Sequence, residues 1–545
     1  MSRITLSLAA AVMALPLTFA QADTPPGAPA ERLGDVNFAV SCTAQQEFSR
    51  AVAMLHSFWF PPADAAFREI AAKDPQCGMA WWGVAMVSLG NPLAGKPSPQ
   101  ALKAGWDAVV KSKAAGAKTE RERDYIDAIA AFYRDGDKVP HRERALAYEK
   151  AMERLAVKYP SDSEAKIFHA LSLNMTFDPG DKSYKNQLKA AGILEQLFAT
   201  QQQHPGIAHY IIHSYDFPPI AAKGLDAAKR YAKIAPDAPH ALHMPSHIFT
   251  RVGHWDESIQ SNRAAALVAM REYAAKPSGN PLANAYHAYD YMTYGHLQLA
   301  QDAAAMGVAE KILEIRKIEF AGAGAAIAAP YAIAAIPVRY VLERERWSDA
   351  AKLELPAIDL PWNQFPQAVA IVVFGRGLGA ARAKDIAAAE RAMAELGKLR
   401  DALQATKQVY WANQVAIQSA VVNAWTKFSA GKTDEGLVAM RAAAEREDKT
   451  EKHPVTPGPI IPARELLGDM LLEAGKPKEA LAAFEHSMRM EPNRFRGIAG
   501  AARAAERAGD KPKAQTYYRR LLELAAKGDG ERPVLAHARA FLDAK

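Results

Sequence analysis

The amino-acid sequence predicts an all-α protein in which helix–turn–helix repeats stack as an α-solenoid superhelix. Three observations support this fold class. The chain has 545 residues, too many for a single hydrophobic core, so it contains several domains or one long repetitive array. Alanine is abundant, whereas valine, isoleucine and threonine are sparse, which favours helices over strands. Small, aromatic and proline residues also recur with a period of 34 residues, which is typical of stacked helix pairs.

The composition excludes several classes of protein. With 49% apolar and 23% charged residues, the chain is not mostly disordered. Its 67 basic and 60 acidic residues are interspersed without a long basic run, so we expect no nucleic-acid partner. Two cysteines are too few for a disulfide-rich scaffold or a four-cysteine zinc site. Nucleotide-binding and serine-hydrolase motifs are absent from the sequence, so it predicts no nucleotide cofactor.

Residues 1–22 have the pattern of a secretory signal peptide. Arg3 precedes an apolar run over residues 4–17, and Ala20-Gln21-Ala22 fits a cleavage site. A membrane helix is the weaker alternative, because the run is too short to span a bilayer comfortably. We therefore expect a periplasmic or secreted protein with no transmembrane anchor after signal cleavage.

The segment after the signal peptide predicts a flexible leader over residues 23–38, because it is rich in proline, alanine and glycine. Cys42 and Cys77 follow this leader. In an oxidising compartment they either form a disulfide or stay free as a buried pair, and the sequence leaves both alternatives open.

Residues 463–545 show the repeat pattern best. The pattern consists of small residues on both helices, a turn glycine, an aromatic residue and a final proline: Leu467, Gly468, Gly475, Ala480, Phe484 and Pro492. This segment resembles the tetratricopeptide repeat (TPR), a helix–turn–helix unit of 34 residues. Small residues let the helices approach closely, the aromatic ring fills the space between repeats, and proline ends the second helix. One repeat further on, Ala514 and Tyr518 take the places of Ala480 and Phe484.

The TPR resemblance extends over most of residues 40–540 and predicts three regions. Residues 39–318 form an N-terminal TPR-like array with a histidine-rich concave patch. Residues 319–462 form irregular helical repeats, in which residues 319–337 are expected to be a buried helix and residues 449–462 a proline-rich insert. This insert is either a lid over the groove or a solvated connector. Residues 463–545 are C-terminal TPR repeats.

The histidines are concentrated in one part of the chain. Seven of the 15 fall between residues 204 and 254. His209 and His213 are four residues apart, as are His243 and His247, and the two pairs are separated by 34 residues. Histidines four residues apart share one helix face, and packed helix axes lie about 8–10 Å apart. The four imidazoles are therefore predicted to reach a common point between two neighbouring repeats.

The TPR resemblance also implies which residues face the concave groove. In TPR proteins, positions 2, 5 and 9 of the first helix point into it. In the unit after the two histidine pairs, these positions hold His287, Asp290 and Tyr294. Residues 204–216 and 240–259 further resemble recurring segments of secreted bacterial TPR proteins. The other residues predicted to line the groove are His240, Tyr210, Tyr291 and Arg251.

We predict a transition-metal site from this cluster, because imidazole is the commonest transition-metal ligand. Zinc, copper or iron would suit a mixed histidine and aspartate shell. Neither histidine pair carries the glutamate of an HExxH motif, since the segments read HYIIH and HMPSH. Repeat duplication alone, or binding of an anionic peptide, remains an alternative explanation. The predicted ligands are His209, His213, His243, His247, His287 and Asp290.

The other histidines and the tryptophans are given structural roles. Single histidines on helices are usually surface residues or satisfied core residues, and aromatic residues in apolar helices are usually core. The histidines concerned are His56, His141, His169, His204, His254, His296, His486 and His537. The tryptophans are Trp59, Trp81, Trp82 and Trp411.

The sequence as a whole predicts a periplasmic TPR-type binding or scaffold protein. A protein or peptide is expected in the concave groove, and a transition metal at the paired histidines. A metalloenzyme, hydrolytic or oxidative, is the alternative, and a metal-free peptide-binding adaptor is the second alternative. Binding is favoured over catalysis, and no catalytic residue is assigned. Imidazoles more than about 6 Å from a common centre would exclude a metal site.

Overall fold

The computed structural model describes residues 31–93, 95–275, 279–314 and 327–544. The predicted signal peptide and residues 23–30 of the leader lie outside these ranges, as do residues 319–326 of the predicted buried helix. Throughout the described ranges the regular elements are helices, and consecutive helices pack against each other. The fold is therefore an all-α, TPR-type solenoid.

The first eight helices form the N-terminal array. They alternate with short turns, and each packs on the next one in the chain. Their bounds are α1 Gln45–His56, α2 Phe60–Lys73, α3 Gly78–Ser88, α4 Pro99–Ala115, α5 Glu120–Tyr133, α6 His141–Lys158, α7 Ser163–Met175 and α8 Lys185–Phe198.

The next six helices carry the predicted histidine cluster. They are α9 Pro205–Tyr215, α10 Leu225–Ile234, α11 Pro239–His243, α12 Pro245–Val252, α13 Trp255–Ala275 and α14 Gly279–Gln298. A short 3₁₀ turn, Ala221–Gly224, precedes α10.

The remaining helices complete the chain, with a second 3₁₀ turn at Trp362–Gln364. They are α15 Asp302–Glu314, α16 Ala328–Glu343, α17 Trp347–Ala350, α18 Pro366–Arg382, α19 Ile386–Ala405, α20 Val409–Ser429, α21 Thr433–Asp448, α22 Ala463–Glu473, α23 Pro477–Met490, α24 Phe495–Arg507, α25 Lys511–Leu524 and α26 Pro533–Asp543. Most of α16 is buried, as the sequence predicts for residues 328–337.

The packing of the C-terminal repeats explains their sequence pattern. The ring of Phe484 fills the space between α22 and α24, because a methyl group added at Gly468 would lie 2.5 Å from it. A methyl group at Gly500 would come within 2.3 Å of the same ring. Gly475 ends the first helix with a φ of +71°, which residues with a side chain rarely adopt. The N-terminal array repeats this contact between Phe67 and Gly83.

The proline-rich insert, residues 449–462, packs against the molecule and is not a solvated connector. Val455, Thr456, Ile460 and Ile461 are buried within it. It connects α21 to α22 and contacts helices far away in sequence. Glu451, for example, bonds Lys182 and Tyr184 of the N-terminal array. The insert therefore joins the C-terminal half of the chain to the N-terminal array.

Cys42 and Cys77 form a disulfide, with their Cα atoms 5.2 Å apart. This decides between the two alternatives left open by the sequence. The bond ties the segment before α1 to the residue that precedes α3. Within the described part of the chain, no helix is both long and apolar enough to cross a membrane.

Candidate metal centre

Three helical segments place the histidine pairs. Pro205 occupies the first turn of α9, where its missing N–H costs nothing, and His204 caps this helix by accepting a bond from the Ile207 amide. Pro245 interrupts the segment that carries the second pair, because it cannot donate within the helix. Met244 nevertheless keeps helical backbone angles, φ −54° and ψ −35°. His243 and His247 therefore remain one turn apart on the same face.

Six histidines assemble into two adjacent groups, defined here as group 1 (His209, His213, His240) and group 2 (His243, His247, His287). In each group, one nitrogen from every ring lies within 4.8 Å of the others. The groups also touch each other. The ring centroids of His240 and His243 are 6.0 Å apart, and those of His213 and His247 are 6.2 Å apart. The single site predicted from His209, His213, His243 and His247 is therefore divided into two groups, each made of one pair and one further histidine.

In group 2, two unprotonated nitrogens point at each other. His243 Nδ1 donates to Asn262 Oδ1 at 2.7 Å, and His247 Nδ1 donates to Asp216 Oδ2 at 2.8 Å. Because each neutral ring carries a single N–H, both Nε2 atoms hold lone pairs. These two Nε2 atoms lie 3.0 Å apart. In addition, the buried Nδ1 of His287 has no hydrogen-bond partner in the described structure.

The partners of group 2 fix these proton positions. Asn262 Nδ2 donates to the Ser258 carbonyl at 2.8 Å, so its Oδ1 atom must face His243. Asp216 bonds Arg251 Nε at 2.8 Å and Lys452 Nζ at 3.3 Å. Although burial opposes ionisation, these two cations and His247 hold the pKa of Asp216 well below its usual range. The carboxylate is therefore an acceptor, and His247 Nδ1 must be the donor.

In group 1, too, one histidine nitrogen bonds an acceptor while the opposite nitrogen faces another imidazole. His209 Nδ1 bonds the backbone carbonyl of His56 at 2.6 Å, which leaves a lone pair on Nε2. That Nε2 atom lies 3.1 Å from His213 Nε2. His240 Nε2 is buried and lacks a hydrogen-bond partner among the described residues. The ring of Phe58 covers the group, with its centroid 4.5 Å from that of His209 and 5.6 Å from that of His240.

Burial keeps these imidazoles in the neutral form. Loss of solvation is the main cause that lowers the pKa of every histidine in both groups. Neighbouring imidazoles lower the pKa values further, while Asp216 acts in the opposite direction on His247. Neutral imidazole is the form that binds metal ions, so the environment favours ligation over protonation.

A third group, His56, Glu164 and His204, has the composition of a metal site but a different proton arrangement. Glu164 accepts from His56 Nε2 at 2.9 Å and from His204 Nε2 at 3.0 Å. The second ring nitrogen of His56 bonds the Tyr210 hydroxyl, and that of His204 caps α9. Every donor faces an acceptor, so this group is a satisfied hydrogen-bond network. It leaves no nitrogen lone pair free for a metal.

The predicted ligand Asp290 belongs to none of these groups. Its carboxylate is fully buried and bonds Arg339, with Nε and Oδ1 2.8 Å apart. We therefore leave Asp290 out of the proposed ligand set. Tyr294 is also turned away, because its hydroxyl accepts a bond from Arg494 Nη1 at 2.6 Å.

The other predicted groove residues lie around the imidazoles. Tyr210 bonds His56, and Arg251 bonds Asp216, as described above. The ring centroid of Tyr291 is 5.1 Å from that of His243 and 5.4 Å from that of His247. These three residues surround the imidazoles and hold their partners in place.

The proline-rich insert closes the predicted open patch. Lys452 reaches Asp216, and Tyr291 donates to the Thr456 carbonyl at 3.2 Å. A hydrogen bond with the Val455 backbone also holds His287. Sequence reasoning missed Asp216, Asn262 and Lys452, because nothing in their local spacing marks them as partners of the histidines.

No protein-family model matches this chain, and no curated protein matches it. Several solved structures of low identity are similar to it. They include Naa15/Naa10 bound to HypK-THB (12% identity, 91% of this chain and 73% of that chain, TM-score 0.24) and the human IFIT1 dimer with PPP-AAAA (11%, 87% and 95%, 0.36). The P58(IPK) TPR domain is a third (12%, 91% and 97%, TM-score 0.20). At these identities and TM-scores, no site or activity is transferred to this chain.

Proposed function

We propose that this chain is a secreted, periplasmic TPR-type binding protein that holds transition-metal ions in groups 1 and 2. The signal-like N-terminus and the Cys42–Cys77 disulfide support an oxidising compartment. The two histidine groups, each with at least two imidazole nitrogens within hydrogen-bond distance, support the metal.

A single observation carries the metal proposal. His243 Nε2 and His247 Nε2 lie 3.0 Å apart, and both hold lone pairs because their opposite nitrogens are donors. Two lone pairs at this distance repel each other unless a cation lies between them. Two nitrogens bound tetrahedrally to one zinc ion, at about 2.0–2.1 Å, would be roughly 3.3–3.4 Å apart. A small relaxation of either ring therefore accommodates the ion.

A shared proton is the other cation that would relieve this repulsion. Burial of both rings lowers their pKa values, which disfavours imidazolium at neutral pH. Lys452 adds a positive charge that lowers them further. A shared proton would bond only these two nitrogens, whereas a metal ion would also bind the third imidazole of the group, His287.

The donor set narrows the choice of metal. Both groups offer imidazole nitrogens and no carboxylate or thiolate. Zinc, copper and iron suit such a set, whereas magnesium and calcium prefer oxygen ligands. Asn262, Asp216 and the His56 carbonyl would orient three of the rings from the far side, as partners of metal-bound histidines usually do.

Elemental analysis of untagged protein, purified without chelator, tests the proposal. We expect up to two zinc, copper or iron ions per chain, and a His243→Ala/His247→Ala variant should lose the ion at group 2. A His486→Ala/His537→Ala variant removes two histidines outside the groups and should keep the full content. If no metal binds either the native protein or the control variant, even after reconstitution at neutral pH, the proposal is wrong. A metal-free peptide-binding adaptor would then be the better description.

A metalloenzyme is the second candidate, and the number of ligands favours it. Three protein ligands per ion leave a coordination position open, which is typical of catalytic rather than structural zinc sites. X-ray absorption of the loaded protein distinguishes the two functions. An exchangeable water or azide in the first shell supports an enzyme, whereas a shell closed by protein nitrogens supports storage or structure.

A further inference from the structure

A cleft lies beside the insert, outside the two histidine groups. It has a cavity volume of roughly 100 Å³, and it is lined mainly by α18, α20, α21 and the insert. Arg251 and Lys452 form part of its wall, and both bond Asp216, the partner of His247. The cleft and group 2 therefore share one ionic network.

Three aromatic rings form one side of this cleft. The ring centroid of Trp411 is 4.9 Å from that of Tyr410 and 5.7 Å from that of Tyr331. The planes meet at 84° and 47°, so the rings form the sides of a partial cage rather than a stack. Ile371 and Phe374 extend the apolar wall. Trp411, which the sequence places in the core, thus faces a cavity that can hold a ligand.

Most polar groups of the cleft that lack a hydrogen-bond partner are acceptors. Gln367 Oε1 and Gln418 Oε1 are buried and have no hydrogen-bond partner in the described structure. The carboxylate of Glu447 accepts one bond, from the Ala463 amide at 2.6 Å. Among the described residues, no Lys or Arg lies within ion-pair distance of Glu447. A buried acceptor left unmatched costs free energy, so a ligand that donates hydrogen bonds is favoured here.

Each cation that lines the cleft contacts a carboxylate, although two of them share Asp216. Asp216 forms ion pairs with Arg251 and Lys452, and Asp448 forms an ion pair with Arg464. Arg464 Nε has no partner of its own, but the charge of its guanidinium is balanced by Asp448. The Coulomb influence of Arg251 on Glu491 opposes the effect of burial on that carboxyl. Glu447 and Glu491 both lack an ion pair among the described residues, but Lys452 and Arg494 also act on Glu491, whereas only acidic neighbours act on the charge of Glu447.

We propose that this cleft binds a protonated organic amine with an apolar body. Glu447 and the two glutamine oxygens would accept its N–H groups, and the three aromatic rings would surround it. Ammonium groups bind the faces of aromatic rings in this way. This binding site goes beyond the proposed metal function and does not depend on it.

The ionisation of Glu447 supports this assignment and provides an independent readout. Burial, together with the nearby Asp448, Glu491 and Glu465, raises the pKa of Glu447 to about 8, although the bond from the Ala463 amide acts in the opposite direction. A bound ammonium would stabilise the carboxylate and lower that pKa. Binding of the amine at pH 7 should therefore release up to about one proton per chain.

Titration calorimetry with three matched probes tests the proposal on the full chain. The probes are phenethylamine, 2-phenylethanol and phenylacetate, which share a ring and differ in charge. We expect phenethylamine to bind at least about tenfold more tightly than the alcohol, since hydrogen bonds to charged groups contribute about 1.5–3 kcal/mol. Measurements in two buffers of different ionisation enthalpy should show the proton release.

Variants identify the responsible residue. Glu447→Gln keeps an acceptor for the Ala463 amide, and it should reduce the affinity for the amine about tenfold while the alcohol binds as before. Glu445→Gln, which changes an exposed neighbour on α21, should bind the amine normally. Equal affinity for the amine and the alcohol, tighter binding of phenylacetate, or no saturable binding of any probe would overturn the proposal.

Discussion

At the scale of single residues, proton positions distinguish the histidine groups better than composition does. The third group pairs each imidazole N–H with Glu164 and each remaining nitrogen with another partner. Group 2 instead directs two lone pairs at each other, because Asn262 and Asp216 take the opposite N–H groups. The proton positions in group 2 therefore depend on Asn262 and Asp216, which are not themselves proposed metal ligands.

Asn262→Ala should weaken metal binding at group 2. Without the Oδ1 acceptor, His243 no longer has a fixed ring orientation or a fixed proton position. Loss of such a partner typically reduces metal affinity by about 10–100-fold. Competition with a chromophoric chelator measures the change, and Arg263→Ala, an exposed neighbour, is the matched control. An unchanged affinity in Asn262→Ala would contradict the assigned role.

The buried histidines also predict that the metal-free protein loses stability in acid. Their folded-state pKa values lie below the ordinary value of 6.5, so below that pH the unfolded chain binds protons that the native state does not. Stability is therefore retained above pH 6.5 and lost as the pH falls below it. Each histidine contributes up to about 1.4 kcal/mol per pH unit.

Six carboxyl groups of the described chain act against this trend, because burial raises their pKa values, and Glu447 is an example. Burial raises the pKa of Glu447 to about 8, so its native form takes up a proton that favours folding as the pH falls. Eleven described histidines have lowered pKa values, so they outnumber these six carboxyl groups. Urea unfolding at pH 7.5, 6.5 and 5.5 should therefore show a decrease from 6.5 to 5.5, with a smaller slope in His243→Gln/His247→Gln. Constant or rising stability over that interval would be inconsistent with neutral buried rings.

At the scale of elements, the insert between α21 and α22 determines access to the centre. It contacts group 2 through the Val455 backbone, and it reaches Asp216 through Lys452. The Tyr291 hydroxyl also donates to the Pro454 and Thr456 carbonyls, at 3.4 and 3.2 Å. Because the insert has no helix of its own, these side-chain bonds and its buried apolar residues hold it in place.

Tyr291→Phe should make the insert open more often. Loss of one buried hydrogen bond costs about 1 kcal/mol, which corresponds to a roughly fivefold increase in the open population. Hydrogen exchange of the amides in residues 449–462 measures this population, and metal release to a chelator should accelerate in parallel. Tyr340→Phe, whose hydroxyl accepts a bond from Arg344, serves as the control. Unchanged protection in Tyr291→Phe would show that other contacts hold the insert.

Most of the helix pairs are predictable from local sequence patterns. The wrong or missing predictions all concern contacts between residues that are distant in sequence. The 34-residue period predicts the helix pairs and places the pairs His209/His213 and His243/His247 on neighbouring repeats, although the structure puts the two pairs in separate groups. Partners distant in sequence are not predictable in this way. The repeat positions predict that Asp290 faces the histidines. Its carboxylate instead accepts a hydrogen bond from Arg339, which lies 49 residues further along the chain. Lys452 reaches Asp216 across 236 residues.

At the scale of the whole molecule, long-range contacts couple repeats that a simple solenoid would leave independent. In an ideal array each repeat contacts only its neighbours. Here Trp255 Nε1 donates to the Asn493 carbonyl at 2.7 Å, and the amide of Phe495 donates to Gln298 Oε1 at 3.0 Å. The C-terminal repeats therefore pack on the helices around the two histidine groups. Cooperative unfolding of these parts follows from this contact.

Removal of the Cys42–Cys77 disulfide tests whether the N-terminal end of the chain is coupled to the histidine groups in the same way. It closes a loop of 35 residues that contains α1, and α1 ends at His56, whose carbonyl orients His209. In the chain-entropy model, Cys42→Ala/Cys77→Ala should cost about 3–4 kcal/mol of stability. Because α1 and group 1 share this contact, metal release and unfolding of the N-terminal array should occur at the same, lower denaturant concentration.

Tryptophan fluorescence from the N-terminal array and a metal indicator dye follow the two events in one titration. Coincident transitions, both shifted to lower denaturant in the double variant, are the expected result, since parts that unfold together share one free energy. A metal signal that keeps its wild-type midpoint while the N-terminal array unfolds earlier would show that the centre folds without α1. In that case the His56 carbonyl would not be needed to orient His209, and groups 1 and 2 would depend on α9–α14 and the insert alone.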